Sequence, residues 1–278
     1  MTITVLAVLG RGLVDPATPV LRADDLGLTR GDGVFEALHV REGKPWLLDE
    51  HLTRLARSAA RMELTLPPEA RVRDLVDLVC AQVGNQEHAL KLFCTRGPED
   101  TGVPTFFATI SPVSEATISP RETGVSVRTA TLGYSVGART DAPWLLGGVK
   151  SLSYAVNMAS QRWAWAHGAD DVVWVSADGF VLEAPTSTVV WHSGTRLLTV
   201  PAEQTGILAG TTARHLLDRA SELGLTAAEE LITPAQLTDA DGAWLISSIR
   251  GVAELRAIDG TERPASPLTP AVRRLLGF

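Results

Sequence analysis

The sequence predicts a mixed α+β fold in two domains. Segments whose apolar residues alternate, as in strands, are interleaved with segments whose apolar residues recur at helical spacing. Apolar residues make up 45% of the 278, enough to bury a sizeable core. One stretch, 113–124, is polar, carries Pro120 and shows no period. It reads as a linker between a small N-terminal α+β domain over 1–112 and a larger C-terminal domain over 125–278.

Residues 1–13 read as a strand ending at Gly10-Arg11-Gly12, and Asp24-Asp25-Leu26-Gly27 has turn chemistry. Gly31 and Gly33 flank Asp32, and the alternation after them predicts a strand to Val40. Arg41-Glu42-Gly43-Lys44 then makes a hairpin turn. Asp49 is expected to cap a helix in which Leu52, Leu55, Ala56, Ala59 and Met62 share a face, with His51 and Arg54 together on another. Pro67-Pro68 separates it from a second helix, with Val72, Leu75, Val76, Val79 and Val83 as its buried stripe. Strands are expected at 89–95 and 105–111.

The C-terminal part opens with a strand at 125–130 and a glycine-bearing loop that leads to Lys150. The spacing of Leu152, Ala155, Val156, Ala159, Trp163 and Ala166 predicts a packed helix directly after the lysine. Strands follow at 172–175, 180–183, 187–192 and 196–200. Gly206–Thr212 leads into a helix over 213–223. A short strand, a short helix from Pro234, a strand at 243–248 and a terminal helix from Pro270 complete the chain.

Several function classes drop out. The net charge is −7 with no basic block, which disfavours a nucleic-acid partner. No run of roughly 18 apolar residues is present, so no membrane span is expected. The N-terminus lacks a basic leader, and Cys80 and Cys94 sit in apolar runs without a disulfide framework. Both features point to a cytoplasmic protein. The six histidines are scattered without ligand spacing, so no metal site is expected. There is neither a G-x-S-x-G elbow nor a P-loop.

What remains is a set of weak signals. Lys150 follows a glycine pair and precedes an apolar pattern, a setting in which burial would free its amine as a nucleophile. Its ordinary alternative is a solvated lysine at a helix start. Gly210-Thr211-Thr212 at a helix start could cup an anion, or could simply cap the helix. Ser248 adds a hydroxyl at a strand end, and Arg54 a guanidinium fork. Glu183 runs into small hydroxyl residues, where a carboxylate can serve a pyridinium nitrogen, or can sit solvated at a strand end. An amine, an acid for a ring nitrogen and several phosphate donors together make the set that pyridoxal phosphate needs.

These residues, in this order, resemble the fold-type IV pyridoxal-phosphate enzymes, also called class IV aminotransferases, over nearly the whole chain. Arg30-Gly31-Asp32-Gly33-Val34-Phe35-Glu36 resembles the family's N-terminal signature, and His51-Leu52-Thr53-Arg54-Leu55 its arginine-bearing helix. The resemblance implies a two-domain fold with the cofactor at the domain interface, usually in a homodimer with a small-molecule substrate. It implies Lys150 as Schiff-base lysine and proton carrier, Glu183 at the ring nitrogen, and Arg54, Thr211, Thr212 and Ser248 on the phosphate. Thr101 and Val103 stand where D-amino-acid aminotransferases carry an arginine and a histidine, which argues against an enzyme of that type. Ser151-Leu152-Ser153-Tyr154 follows the lysine where branched-chain enzymes carry Gly-Gly-Asn-Tyr, which argues against a branched-chain enzyme. The Gly-Asp-Gly-Val-Phe-Glu form and Thr186-Ser187-Thr188 look more like 4-amino-4-deoxychorismate lyase, with transamination of a branched-chain or other hydrophobic amino acid as the alternative. Arg30, Phe35 and Arg96 are candidate substrate contacts, each arginine equally fit for a structural salt bridge.

Overall fold

A computed structural model describes residues 2–278, which form two compact units. The first holds the chain up to Ser114 together with Val149–Tyr154; the second holds Glu115–Gly148 and Ala155–Phe278.

The first unit is built on a six-stranded antiparallel sheet. Its strands are β1 (Val5–Val8), β2 (Gly12–Val14), β3 (Gly33–Arg41), β4 (Lys44–Pro45), β5 (His88–Thr95) and β6 (Thr105–Pro112), in the order β2-β1-β6-β5-β3-β4. A short helix α1 (Leu26–Arg30) precedes β3, and α2 (Leu48–Arg61) and α3 (Glu69–Cys80) follow β4. Strand period 2 sorts the side chains. Val34, Glu36 and Leu38 of β3, Leu90, Leu92 and Cys94 of β5, and Phe106, Ala108 and Ile110 of β6 are all buried. Helix α2 packs against β3, and α3 against β1 and β6. Phe35, Lys91, Phe93 and Phe107, out of phase with those residues, lie on the opposite face and are only partly covered. Asp49 falls in the first turn of α2 rather than at its cap, which is Leu47 in a left-handed conformation.

The stretch after Lys150 departs from the expected helix. The helix, α7 (Ala155–Ala166), begins only at Ala155. Before it, the Phe35 N–H donates to the Lys150 carbonyl at 3.0 Å and the Leu152 N–H to the Gly33 carbonyl at 2.9 Å. Val34 and Ser151 form the bridge between them. The reason lies in the sheet edge: β4 pairs only with Val40 and Arg41, so the other end of β3 has backbone groups to satisfy. The lysine segment satisfies them and therefore belongs to the first unit.

The second unit carries an eight-stranded mixed sheet. Along β11-β10-β9-β12-β13-β7-β8 run β7 (Val125–Thr131), β8 (Asp171–Val175), β9 (Thr188–Ser193), β10 (Arg196–Thr199), β11 (Thr226–Glu229), β12 (Gly242–Ser247) and β13 (Gly251–Ile258), with β14 (Thr261–Glu262) paired to β13. Between them come α4 (Glu115–Ile118), α5 (Pro120–Thr123), α6 (Ala138–Asp141), α7 (Ala155–Ala166), α8 (Ala202–Thr205), α9 (Thr211–Asp218) and α10 (Pro234–Asp239), and α11 (Thr269–Leu276) closes the chain. Val173, Trp191, Leu198, Leu245 and Leu255 lie in its core. The stretch read as an aperiodic linker forms α4 and α5, and the Arg121 guanidinium donates to the carbonyls of Ile249 and Arg250 at 2.9 Å each. Helix α7 buries Ala164 alone, leaving Val156, Trp163 and Trp165 exposed. Residues 180–183 make an isolated bridge and a few backbone bonds to 174–176 instead of the expected strand. Among the described residues, no helix is long and apolar enough to cross a membrane.

Candidate active site

In the first unit, Lys150 is placed by its own backbone. Its N–H donates to Ser58 Oγ of α2 at 3.2 Å, and its carbonyl is held by β3. Its Nζ stands 4.5 Å from the centroid of the Phe35 ring and 3.4 Å from Tyr154 Oη. Tyr154 meets Phe35 edge-on at 5.0 Å. A half-buried amine over an aromatic face, one hydroxyl away from a partner, is chemically suited to accept and return a proton.

Below it lies a buried ionic cluster. Glu36, fully buried, receives Arg54 Nε on one oxygen and Nη2 on the other, both at 2.8 Å, and His51 Nδ1 at 2.7 Å. Burial pushes the Glu36 carboxyl up, but the charge and hydrogen bonds of Arg54, with those of His51, outweigh it and hold the group well below the usual carboxylate range. Burial lowers His51. Glu36 opposes that lowering, while the charges of Arg54 and Lys150 add to it. The pair fixes the guanidinium plane of Arg54, whose five donors exceed what one carboxylate can take.

In the second unit, Glu183 accepts the Leu208 N–H at 3.1 Å and Arg139 Nη1 at 3.3 Å. Arg139, on α6, fits only because Gly206 has φ +66° and no side chain; a Cβ there would stand 2.7 Å from Arg139 Cβ. Downstream, the turn of Gly210 opens α9, which packs on β12. Gly210 lies so close to Thr188 Oγ1 that any side chain would collide with it. Thr211 and Thr212 occupy the first helical turn, where N–H groups have no partner within the helix. The Thr212 hydroxyl is buried with no hydrogen-bond partner, an unusual and costly state unless something else occupies the site. Ser248 is buried directly after β12.

The sequence candidates thus fall into two groups. Lys150, Arg54 and Phe35 belong to the first; Glu183, Thr211, Thr212 and Ser248 to the second. The two candidate substrate arginines behave differently. Arg96 donates to Asp32 at 2.7 Å and to the carbonyls of Met62 and Glu63 at 2.6 and 3.2 Å, the structural alternative weighed for it. Arg30 is exposed at the end of α1. Sequence reasoning did not assign Glu36 or Arg139. Glu36 was detectable, since it falls in phase with the buried Val34 and Leu38 and so needs a buried cation. Arg139, in a loop without periodicity, gave no such signal.

A mixed two-unit fold with an amine on a sheet edge and a buried, unpartnered hydroxyl at a helix start has counterparts among known proteins. The sequence matches the family profile of Amino-transferase class IV over residues 33–258, and the chain belongs to that family. It is 39% identical over 273 residues, 95% of this chain and 94% of the relative, to the bifunctional aminodeoxychorismate lyase / D-amino acid transaminase of Mycobacterium tuberculosis. Its fold is similar to that of a hypothetical aminotransferase from Mycobacterium tuberculosis in its PLP-bound form, at a TM-score of 0.95 and 39% identity, covering 99% of this chain and 98% of that one. A fold IV-transaminase from Curtobacterium pusillum is similar at a TM-score of 0.92 and 38% identity, over 99% of both chains.

Proposed function

We propose that this chain is a pyridoxal-phosphate enzyme that converts 4-amino-4-deoxychorismate into 4-aminobenzoate and pyruvate. The observation that carries the cofactor is the buried, unsatisfied Thr212 hydroxyl at a helix start in the second unit; Lys150, in the first, presents an amine. The residues fit the group: Arg54, the Thr211 and Thr212 turn and Ser248 offer cationic and neutral donors to a phosphate, and Glu183 offers a carboxylate to a ring nitrogen. When bound, the cofactor supplies an electron-withdrawing ring that stabilises negative charge on the substrate carbon bearing the amine. Lys150 Nζ takes the proton from that carbon and returns one to the departing three-carbon fragment, while Tyr154 Oη steadies the amine between the two transfers. Arg139 and the Leu208 N–H aim Glu183. The first activity in the name of the mycobacterial relative supports the substrate.

The second activity in that name supports D-amino-acid transamination by the same residues. Thr101 and Val103 weigh against it, since both are exposed and neither can bind a carboxylate through a positive charge. The deciding assay gives the purified, cofactor-loaded protein 4-amino-4-deoxychorismate in one arm. In the others it receives D-alanine or L-leucine with 2-oxoglutarate. Release of 4-aminobenzoate supports the lyase; amino transfer without it overturns that assignment. The family resemblance also carries a homodimer in which small molecules are the substrates, and sedimentation equilibrium measures its mass.

A further inference from the structure

The sheet face that carries Phe35 holds a second, unassigned feature. Phe35, Phe93 and Phe107 are direct cross-strand neighbours on β3, β5 and β6. Phe35 and Phe93 stack at 6.1 Å, and Phe93 and Phe107 at 4.8 Å, with planes within 17° of parallel. They form a continuous aromatic floor, and the Lys150 amine stands over one end of it. The next row on the same face is Ala37, Lys91 and Thr109, two residues along each strand and so about 6.6 Å away. Its flanking members are small: Ala37 is partly covered and Thr109 buried. The chain has only three lysines against twenty-two arginines, and two of the three belong to this one region. Lys91 is half-buried, yet no carboxylate lies within ion-pair distance of it among the described residues. Burial alone lowers its pKa, with no acid to restore it. A cation kept partly out of water without a counter-charge is costly unless an anion joins it.

We propose that Lys91 anchors the carboxylate of a ring-bearing substrate whose ring lies on the Phe35–Phe93–Phe107 floor, with its amine directed to Lys150. The row spacing matches the length of a carboxylated six-membered ring, and the contact is charge-complementary over an apolar base. The assignment rests on the lyase reading and adds to it the group that recognises the acid.

The test is equilibrium binding to the cofactor-loaded enzyme of 4-aminobenzoate and of its uncharged analogue 4-aminobenzamide. Lys91→Met is expected to weaken 4-aminobenzoate at least tenfold, to leave the amide unchanged, and to keep the wild-type melting temperature. Lys91→Arg is expected to restore most of the carboxylate affinity. Equal binding of the carboxylate by wild type and Lys91→Met overturns the proposal, as does an equal loss of acid and amide, the mark of a merely structural lysine. Turnover separates the two claims. If wild type releases 4-aminobenzoate but Lys91→Met binds it normally, the Lys91 assignment alone falls. If wild type neither makes nor binds 4-aminobenzoate, the lyase reading falls and takes this one with it.

Discussion

Replacing Glu36 with glutamine keeps the shape of the buried cluster and removes the charge that faces Arg54. Glu36 is 0% exposed and Arg54 7%, so solvent cannot take over the role of the lost carboxylate. Removing one partner of a buried, hydrogen-bonded ion pair costs about 3–5 kcal/mol, because the remaining charge stays in a poorly polarisable interior. For a chain of this size about 2–4 °C follows per kcal/mol, so the melting transition of the apo-protein should fall by roughly 10 °C. Removing both charges with Glu36→Leu and Arg54→Met should cost less than the sum of the single changes, by about 2 kcal/mol, because no isolated charge is left behind. Urea denaturation of the apo-protein, followed by tryptophan fluorescence, measures all four corners of this cycle. A Glu36→Gln cost below about 1 kcal/mol, or strict additivity, would refute the view that this pair holds Arg54 in place.

Three further predictions follow from the same geometry. Thr212→Val should lower affinity for pyridoxal phosphate by about tenfold or more, the worth of one hydrogen bond to a charged group, while apo-protein stability holds or rises; equilibrium dialysis and melting read the two effects separately. His51 is lowered by burial, so the folded protein binds its proton less readily than the unfolded chain does. Its contribution to stability is full above roughly pH 6.5 and is lost as pH falls through the folded value, so the urea midpoint should drop between pH 7.5 and 5.5 by more in wild type than in His51→Asn. Burial pushes the Cys80 thiol up to about 11 and the Cys94 thiol up to about 12, so neither should react with a thiol reagent at pH 8 until the protein unfolds.

Much of this arrangement was readable in the sequence because the reading relied on local chemistry. The helix stripe of Val72, Leu75, Val76 and Val79 is buried, as its spacing required. The glycine turn before Thr211 opens a helix, and the family resemblance is borne out by the match over residues 33–258. What escaped depends on partners distant in the chain. The β13 strand was missed because Glu254 and Arg256 interrupt its apolar pattern, although Glu254 is buried and satisfied by the Ser266 N–H. Helices α4 and α5 have four residues each, too few for a period to show, and Arg121 ties the second of them to the turn before β13. The segment after Lys150 has helical spacing but pairs with β3, because an unsatisfied sheet edge outweighs local propensity. Lys91 sits in an ordinary strand alternation, and only the register with Phe35 and Phe107 gives it meaning.

The central claim is that Lys150 carries the cofactor. Borohydride reduction of the purified, pyridoxal-phosphate-loaded protein, followed by peptide mapping, tests it most directly, because the chain offers only Lys44, Lys91 and Lys150 as side-chain amines. The phosphopyridoxyl group should appear on the peptide containing Lys150 and vanish in Lys150→Ala. A label on Lys44 or Lys91, or none at all, would contradict it.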